Sequence, residues 1–493
     1  MPPPEPDLGD LLARVLPTGV RLTIRHVSST PRPCAALFAA PPGEPPEPTF
    51  CENHYLSVSA GSDGHNGREI IIFGIEVLIY TTAQLTTIFV SKADSTGFLH
   101  RLNVPPKVSL LRLISNAFLA FLVRTHQRHG VRLVLSLFAR AQNQYLFPGS
   151  VHNPGKHVLD DRGLIRWWCR ALDLILRQYE PESVSGEDDR TTSEESAKSS
   201  ATAFLIVPGC DRFKIRGFFP ASARSDDDQA RRPRWLNRYP RQQLCRSPEA
   251  PPRCLIPRFP DDPKTRFLND LDDELPDPAE SGPAHSGQWR SVKSLDQFWD
   301  MMSFRQECSA GRSVGFLWVV INPPGLVNSI RAADTRPGGS HTGSQETTEL
   351  SGIPQPDNNP TAQGDSHPFH WPEAGRGHVV LSEADYKSAI DFFLAHEFHN
   401  EQVSIDSTKA WADNVASLAD QLTWGQDVVG RSAVGEGETM AHPTEPSNLM
   451  DNGLIRKRKK ADDDKPGSQD PPQPDQPGVN MLNAGVVRKK KKT

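Results

Sequence analysis

The stretch Glu69-Ile70-Ile71-Ile72-Phe73-Gly74-Ile75-Glu76-Val77-Leu78-Ile79-Tyr80 decides how the chain is read. Ile70 to Tyr80 is its longest strongly apolar run, interrupted by Glu76, and falls well short of the ~20 residues a membrane span needs. It reads as a buried strand. Asn53 to Ser59 is a strand before it, and Ile88-Phe89-Val90 is one after it, running into the polar loop Ser91-Lys92-Ala93-Asp94-Ser95-Thr96-Gly97. A polar loop leaving a buried strand is where ligand groups often sit.

Outward from this centre, strands and helices alternate. Toward the N-terminus, Asp7 to Leu16 predicts a helix with Leu8, Leu11, Leu12 and Val15 on one face, ended by Pro17-Thr18-Gly19. Val20, Leu22 and Ile24 then alternate with polar residues as a half-buried strand, and the proline-rich residues Pro31 to Pro48 predict a linker. Toward the C-terminus, Val108 to Gln127 is a helix apolar around most of its surface, hence buried on more than one side. Val131 to Phe138 is the next strand. Asp161 to Tyr179 is a second long helix with Leu164, Trp167, Trp168, Ala171, Leu172 and Ile175 on one face and Arg166, Arg170, Asp173 and Arg177 opposite. Adjacent tryptophans on such a face pack a core or form the flat wall of a pocket. Thr202 to Val207 and Ser313 to Ile321 are further strands, the arginine-rich piece around Arg231 to Arg241 is irregular, and Phe267 to Leu275 and Leu295 to Glu307 are helical. Ser382-Glu383-Ala384-Asp385 starts a helix through Phe398 in capping-box fashion. His396 and His399 share a face of it, but without an HExxH pattern they do not make a metal site.

Composition limits the function classes. The 493 residues include 35 Gly and 45 Pro, and the mean hydropathy is −0.50, so one large core with unpacked insertions is expected. Pro181 to Ser200 and Arg331 to Trp371 are too polar or too low in complexity to order themselves. The N-terminal residues lack the charged and apolar regions of a secretory signal, and seven cysteines without a CxxC pair point to reduced thiols rather than a zinc module. The net charge of −5 hides basic runs at the C-terminus. There Asn448 to Lys460 recurs as Asn480 to Lys492, each copy a small apolar element followed by a basic block, which suits a nuclear-import signal or a docking peptide for an acidic surface, unless it is simply a solvated tail.

The stretch most suited to chemistry is Arg258-Phe259-Pro260-Asp261-Asp262-Pro263-Lys264-Thr265-Arg266-Phe267. Each proline restricts its own φ and its predecessor, so the two carboxylates are presented in few poses. Neighbouring acids raise each other's pKa and a nearby cation lowers it, so one of them could be tuned to accept a proton; a solvated turn is the plainer reading.

The chain resembles the fungal-type histone acetyltransferases that modify the lysine at position 56 of histone H3, known from regulators of Ty1 transposition. The resemblance rests on Phe89-Val90-Ser91-Lys92-Ala93-Asp94, Gln144-Tyr145-Leu146-Phe147-Pro148, Lys156-His157-Val158-Leu159, Trp167-Trp168, Phe259 to Phe267, Ser294-Leu295-Asp296-Gln297-Phe298-Trp299 and Arg305-Gln306-Glu307, in the family's order. It implies an α/β fold, a mixed central sheet wrapped by helices of the histone-acetyltransferase type, distantly similar in architecture to the CREB-binding-protein acetyltransferases. Residues 1–430 would form the acetyltransferase domain, with disordered insertions at about 181–200 and 331–371, and 431–493 a disordered basic tail.

Carried over residue by residue, the resemblance places acetyl-CoA against Ala93, Asp94, Ser95, Phe138, His157, Val158, Leu159 and Trp167, and the substrate lysine against Trp168 and Tyr145. It makes Asp262 the base, with Asp261 beside it, and Lys264 a buried lysine acetylated by the enzyme itself. Arg101 to Pro106, where the family contacts the pyrophosphate, aligns poorly, and Arg101 and Lys107 stand there on charge alone. The implied reaction is direct transfer with no metal: a free lysine of pKa about 10.4 is under about one part in a thousand deprotonated at pH 7, so a proton acceptor is required. Implied partners are histone H3 with H4 and histone chaperones of the nucleosome-assembly and anti-silencing types, in the nucleus. No membrane or sequence-specific nucleic acid is expected. The rival classes are a histone-binding scaffold with a decayed acetyl-CoA site and a nucleic-acid binder acting through its basic segments.

Overall fold

The computed structural model describes residues 6–60, 68–102, 104–105, 108–182, 198–224, 233–245, 247–275, 287–305, 312–324 and 368–433. Among these residues eleven strands form one mixed sheet: β1 Arg21–Ser29, β2 Arg32–Cys34, β3 Thr49–Ala60, β4 Ile70–Thr81, β5 Leu85–Ser95, β6 Arg132–Ala139, β7 Ser200–Ile206, β8 Trp235–Leu236, β9 Gly315–Asn322, β10 Val379–Leu381 and β11 Gln426–Val429. Their order is β10-β1-β3-β4-β5-β6-β9-β7-β8, with β11 on β1 and β2 on β3. The β5–β6, β7–β8 and β1–β10 pairs are parallel and the rest antiparallel.

The centre of the sheet is apolar throughout because both faces are covered. On β9, Leu317, Val319 and Ile321 face one core, while Phe316, Trp318 and Val320 face another. The first face carries helices α1 Leu8–Val15, α2 Leu110–His126 and α3 Asp161–Leu176. The other face is shared. Helices α8 Glu383–Leu394 and α9 Glu401–Leu418 pack over the β1–β3–β4 half around Tyr55, Phe393 and Trp411. Helices α6 Pro263–Asp272 and α7 Leu295–Met302 pack over the β6–β9–β7 half around Phe267, Phe298 and Trp318. Between them a small cluster of Leu37, Cys51, Tyr80, Phe89 and Phe259 closes the seam. Two short helices, α4 Arg212–Arg216 and α5 Arg241–Leu244, complete the described elements longer than a 3₁₀ turn. None of the helices is long and apolar enough to cross a membrane, among the described residues.

Local signals worked where caps are explicit. Asp7, Asp160 and Ser382 cap α1, α3 and α8, each accepting a backbone amide three residues on. Several expectations are corrected. The proline-rich "linker" contains β2, because Arg32–Cys34 finds an edge on β3, and Leu37 is buried. The irregular arginine-rich piece contains β8, paired to β7. Asp173 is not on a solvated face: it is buried, accepting Trp235 Nε1 at 2.9 Å, Ser222 Oγ at 2.7 Å and Arg177 Nε at 2.8 Å. The helix from Ser382 stops at Leu394 rather than Phe398. At the end of the second expected insertion, Phe369 packs on Phe50 and Trp371 stacks under Arg376, so residues 369–371 belong to the packed fold. The remainder of both insertions (183–197 and 331–367) and the tail repeats lie outside the described residues.

Phe118, fully buried on α2, is a measure of the first core. Phe118→Ala should lower unfolding free energy by about 3–5 kcal/mol, read as a shifted denaturant midpoint at unchanged slope.

Candidate active site

The parallel ladder between β5 and β6 runs from Leu85–Arg132 to Val90–Leu137 and then stops. β5 continues against β4 to Ser95, and β6 continues against β9 to Ala139. The sheet is therefore open between the carboxyl ends of two parallel strands, where α/β sheets commonly place ligands. The expected polar loop Ser91–Ser95 is strand, entered through a bulge: Val77 pairs with Val90 and Glu76 with Lys92, leaving Ser91 over. The extra residue inverts the alternation. Without it Ser91 and Ala93 would follow Phe89 on one face; with it, Phe89, Lys92 and Asp94 share that face.

Asp94 is an organiser. Its Oδ1 accepts Lys156 Nζ at 2.8 Å and the Ser95 amide at 2.8 Å, and its Oδ2 accepts the amides of Tyr145 at 2.7 Å and Leu146 at 3.1 Å. Lys156 also donates to Ser150 Oγ at 2.6 Å. Gly97 permits this approach: at φ +96° it has no side chain, and a Cβ there would lie 2.6 Å from the Lys156 amide nitrogen. Asp94 thus fixes the segment carrying Tyr145, whose hydroxyl donates to Arg140 O at 2.6 Å and whose phenol is pushed up to about 12 by burial.

The Pro-Asp-Asp-Pro segment is the head of α6 rather than a free loop. Asp262 is the N-cap, its Oδ1 accepting the Lys264 amide at 2.8 Å, with Pro263 at the first helical position. Its Oδ2 is ion-paired with Lys264 Nζ, and both side chains are buried. The Lys264 ammonium lies 4.3 Å from the centroid of Phe316. Asp261 takes φ +58°, a left-handed conformation that Asp tolerates better than most residues, and is exposed; Lys92 Nζ lies 3.5 Å from its carboxylate and 2.9 Å from Glu76 Oε2. Burial lowers the Lys92 pKa, but Glu76 and Asp261 more than reverse this, so it ends above the usual lysine value and the side chain stays charged. Phe259 anchors the segment: its ring stacks on Phe89 at 4.0 Å and 3°, its amide donates to Thr265 Oγ1 at 3.0 Å, and the Thr265 hydroxyl returns to Phe259 O at 2.8 Å. Phe138, near the end of β6, lies 6.2 Å from Phe89.

Val158 and Leu159 line a cavity of about 570 Å³ together with Arg140 to Gln144, Asp160, Asp161 and Arg312. Its rim is tied by Arg312, which donates to Asp161 Oδ2 at 3.0 Å and to Ala141 O. His157 is exposed beside it. Trp167 meets Trp168 edge to face at 4.9 Å. Trp168 is buried in the α1–α3 core, whereas Tyr145 packs with the cluster on the other face, so the two lie in different cores. Arg101 is paired with Glu401 on α9 at 2.6 Å, and Lys107 lies outside the described residues. Missed from sequence were Lys92, Glu76, Lys156 and Arg312. Each is the counter-charge of a buried or half-buried acid or base, and a carboxylate on a strand this apolar was itself the sign that a partner must exist. Among the described residues the group able to hold a metal is Glu52 with His54 and His126, two strands from β5. His396 and His399 bond instead to Phe392 O and Glu397.

A deep aromatic-seated carboxylate beside an open pair of parallel strand ends suits transfer of an acyl group to an amine. The chain belongs to the histone acetyltransferase KAT11-type domain family, whose model matches residues 8–132 and 128–414. It is 57% identical to the histone acetyltransferase rtt109 of Aspergillus flavus over 99% of both chains. It is 32% identical to rtt109 of Schizosaccharomyces pombe over 62% of this chain and 69% of that one. The fold is similar to the crystal structure of Rtt109 from Aspergillus fumigatus, with TM-score 0.76 and 64% identity, covering 87% of this chain and all of that chain. The chain is a histone acetyltransferase, with acetyl-CoA and a histone as its substrates.

Asp94 and Lys156 are a buried pair, so removing one charge should cost more than removing both. Asp94→Ala should destabilise the chain by about 3–5 kcal/mol, and adding Lys156→Met should recover the part due to the stranded charge but not the part due to the Tyr145 and Leu146 amides. Chemical unfolding of the four chains of the cycle checks it; additive losses would contradict the pairing.

Proposed function

We propose that the enzyme transfers acetyl from acetyl-CoA to a lysine of histone H3, at position 56 of its core, in the nucleus, working with histone chaperones of the nucleosome-assembly and anti-silencing types in replication-coupled nucleosome assembly. The observation that carries the chemistry is the buried Asp262–Lys264 pair at the head of α6, seated by Phe259 on Phe89 at the open ends of β5 and β6. Acetyl-CoA lies along that opening, against Ala93, Asp94, Ser95, Phe138, His157, Val158, Leu159 and Trp167, with Asp94 acting through the backbone it holds. Tyr145 and Trp168, which pack in different cores, meet the substrate lysine from the two faces of the sheet at that opening. Asp262 takes the ammonium proton, directly or through one water; the neutral amine attacks the thioester carbon, the C–N bond forms and the C–S bond breaks, and the second amine proton passes to the departing sulfur, so that an amide and the CoA thiol are released. Asp261, held by Lys92, positions the segment.

Lys264 has a part in this. With its amide on Oδ1 and its ammonium on Oδ2, it occupies both oxygens of Asp262. Acetylation of Lys264 replaces three N–H donors by one and removes a buried charge, freeing lone pairs of Asp262 for the substrate. Residues 1–430 act as the catalytic domain, and the two tail repeats, Asn448 to Lys460 and Asn480 to Lys492, act as parallel docking or import elements.

Transfer of label from acetyl-CoA to H3–H4, with and without each type of chaperone, tests the activity; absence of labelled H3 in every arm would refute it. Asp262→Asn should lower turnover by about 10²–10⁴ with acetyl-CoA affinity unchanged. Because this substitution also strands Lys264, the same loss should persist in a Lys264→Gln background, where no charge is left unpaired. Near-full turnover of that double variant across about pH 7 to 9 would remove Asp262 as base. Peptide mapping of protein made with acetyl-CoA present should find acetyl on Lys264.

A further inference from the structure

On the opposite side of β4 from the acetyl-transfer site, the sheet buries a second set of chemistry-bearing side chains. Glu52 and His54 stand two residues apart on β3, and His126 ends α2. His126 Nε2 is 2.8 Å from Glu52 Oε1, and His54 Nε2 is 3.9 Å from it. All three offer ligand atoms within 4.8 Å of one another, and all three side chains are nearly inaccessible. His370 packs beside His126, ring centroids 6.3 Å apart.

The hydrogen bonds of this group do not close on themselves. His126 Nδ1 lies 2.9 Å from Leu122 O, and a carbonyl only accepts, so Nδ1 carries the proton. In the neutral ring, Nε2 then presents a lone pair to a carboxylate oxygen. Glu52 Oε2, His54 Nε2 and His370 Nε2 are buried with no hydrogen-bond partner among the described residues. Most buried polar side-chain atoms are partnered, so two orphans within one cluster, with a third on the neighbouring His370, call for a missing group. The outer bonds are those of metal ligands: His126 donates its far nitrogen to a backbone carbonyl, and His54 Nδ1 is 2.9 Å from His26 Nε2, which can accept its proton.

We propose that Glu52, His54 and His126 bind a divalent transition metal, zinc first, with His370 or a water in the fourth position. Two imidazoles and a carboxylate suit Zn²⁺. Bonds of about 2.0–2.1 Å in a tetrahedron keep ligand atoms about 3.3 Å apart, between the 2.8 Å and 3.9 Å that separate the two imidazoles from Glu52 Oε1 and within the 4.8 Å that spans the group, so rotamer shifts bring them onto one ion. The ion would be structural. It would tie β3 to the end of α2 and to the segment leading into β10, joining positions far apart in sequence, and it takes no part in acetyl transfer.

The test uses the full chain without a histidine tag. Metal content by mass spectrometry should be near one zinc per chain, removable by chelation with a fall in thermal midpoint that added Zn²⁺ reverses. One equivalent of Co²⁺ should give the visible absorption of a tetrahedral site. Glu52→Gln, close in size, should weaken Zn²⁺ binding by more than about 100-fold, and His26→Phe, outside the ligand set, by about 10–100-fold. If His26→Phe fails to fold, Glu52→Gln and the Co²⁺ spectrum still decide. No stoichiometric zinc with no Co²⁺ band, or a band equally strong in Glu52→Gln, would overturn the site.

Discussion

β5 cannot pair with β4 and β6 along its whole length. β6 turns with β9 after Leu137, β5 turns with β4 after Val90, and the bulge at Ser91 lies where they part. A bulge raises local twist and shifts side-chain alternation by one, so a single unpaired residue both opens the sheet and moves Lys92 and Asp94 to the face of Phe89. The position of α6 follows from the same point, since Phe259 stacks on Phe89 and Lys92 reaches Asp261.

Three ion pairs cluster around that opening: Glu76 with Lys92, Asp94 with Lys156, and Asp262 with Lys264. Desolvating two charges costs several kcal/mol per ion, so such pairs are a poor way to gain stability. They are suited to holding geometry. Each charge restricts its partner: Asp94 orients Tyr145 and Leu146, Lys92 holds Asp261, and the Lys264 pair holds the carboxylate of Asp262 at the head of a helix. A hydrophobic replacement would fill the same volume without directing any oxygen or amide.

Much of this was legible in the sequence. Both-face burial made β4 and β9 continuous apolar runs, and acidic or hydroxyl caps marked α1, α3 and α8, because these signals are local. The apparent loop after Val90 could not be recognised as strand: Ser91 to Ser95 are polar, and only their pairing with β4 across the bulge makes them extended. β2 and β8 are two or three residues long and owe their existence to a waiting edge, which no local pattern records. The acids and aromatics proposed for the site stood out as candidates because their types carry the chemistry. Their counter-charges were not, since Lys156 lies 62 positions from Asp94 and is identified only once the chain is folded. The group of Glu52, His54 and His126 was invisible for the same reason, two ligands sharing a strand and the third arriving from a helix.

Asp262 is asked to do several things with two oxygens. It caps α6, neutralises Lys264 and, in the proposed mechanism, is the acceptor for a substrate proton. The first two favour an ionised side chain held in place; the third needs an oxygen with a lone pair to spare. A carboxylate has about four acceptor positions, and the cap uses one on Oδ1, so the competition is over Oδ2. Capping and proton transfer are therefore compatible, whereas full engagement by a charged Lys264 and proton transfer compete for the same atom. Aromatic rings of Phe316 and Phe259 around Lys264 Nζ, at 4.3 Å and 5.9 Å, suit either a cation over a π face or a neutral acyl amide in an apolar pocket. The surroundings of Lys264 thus accept both states of the lysine, and under the proposed mechanism those of Asp262 favour the neutral one, which would make the covalent state of one buried lysine the variable to which that mechanism is most sensitive.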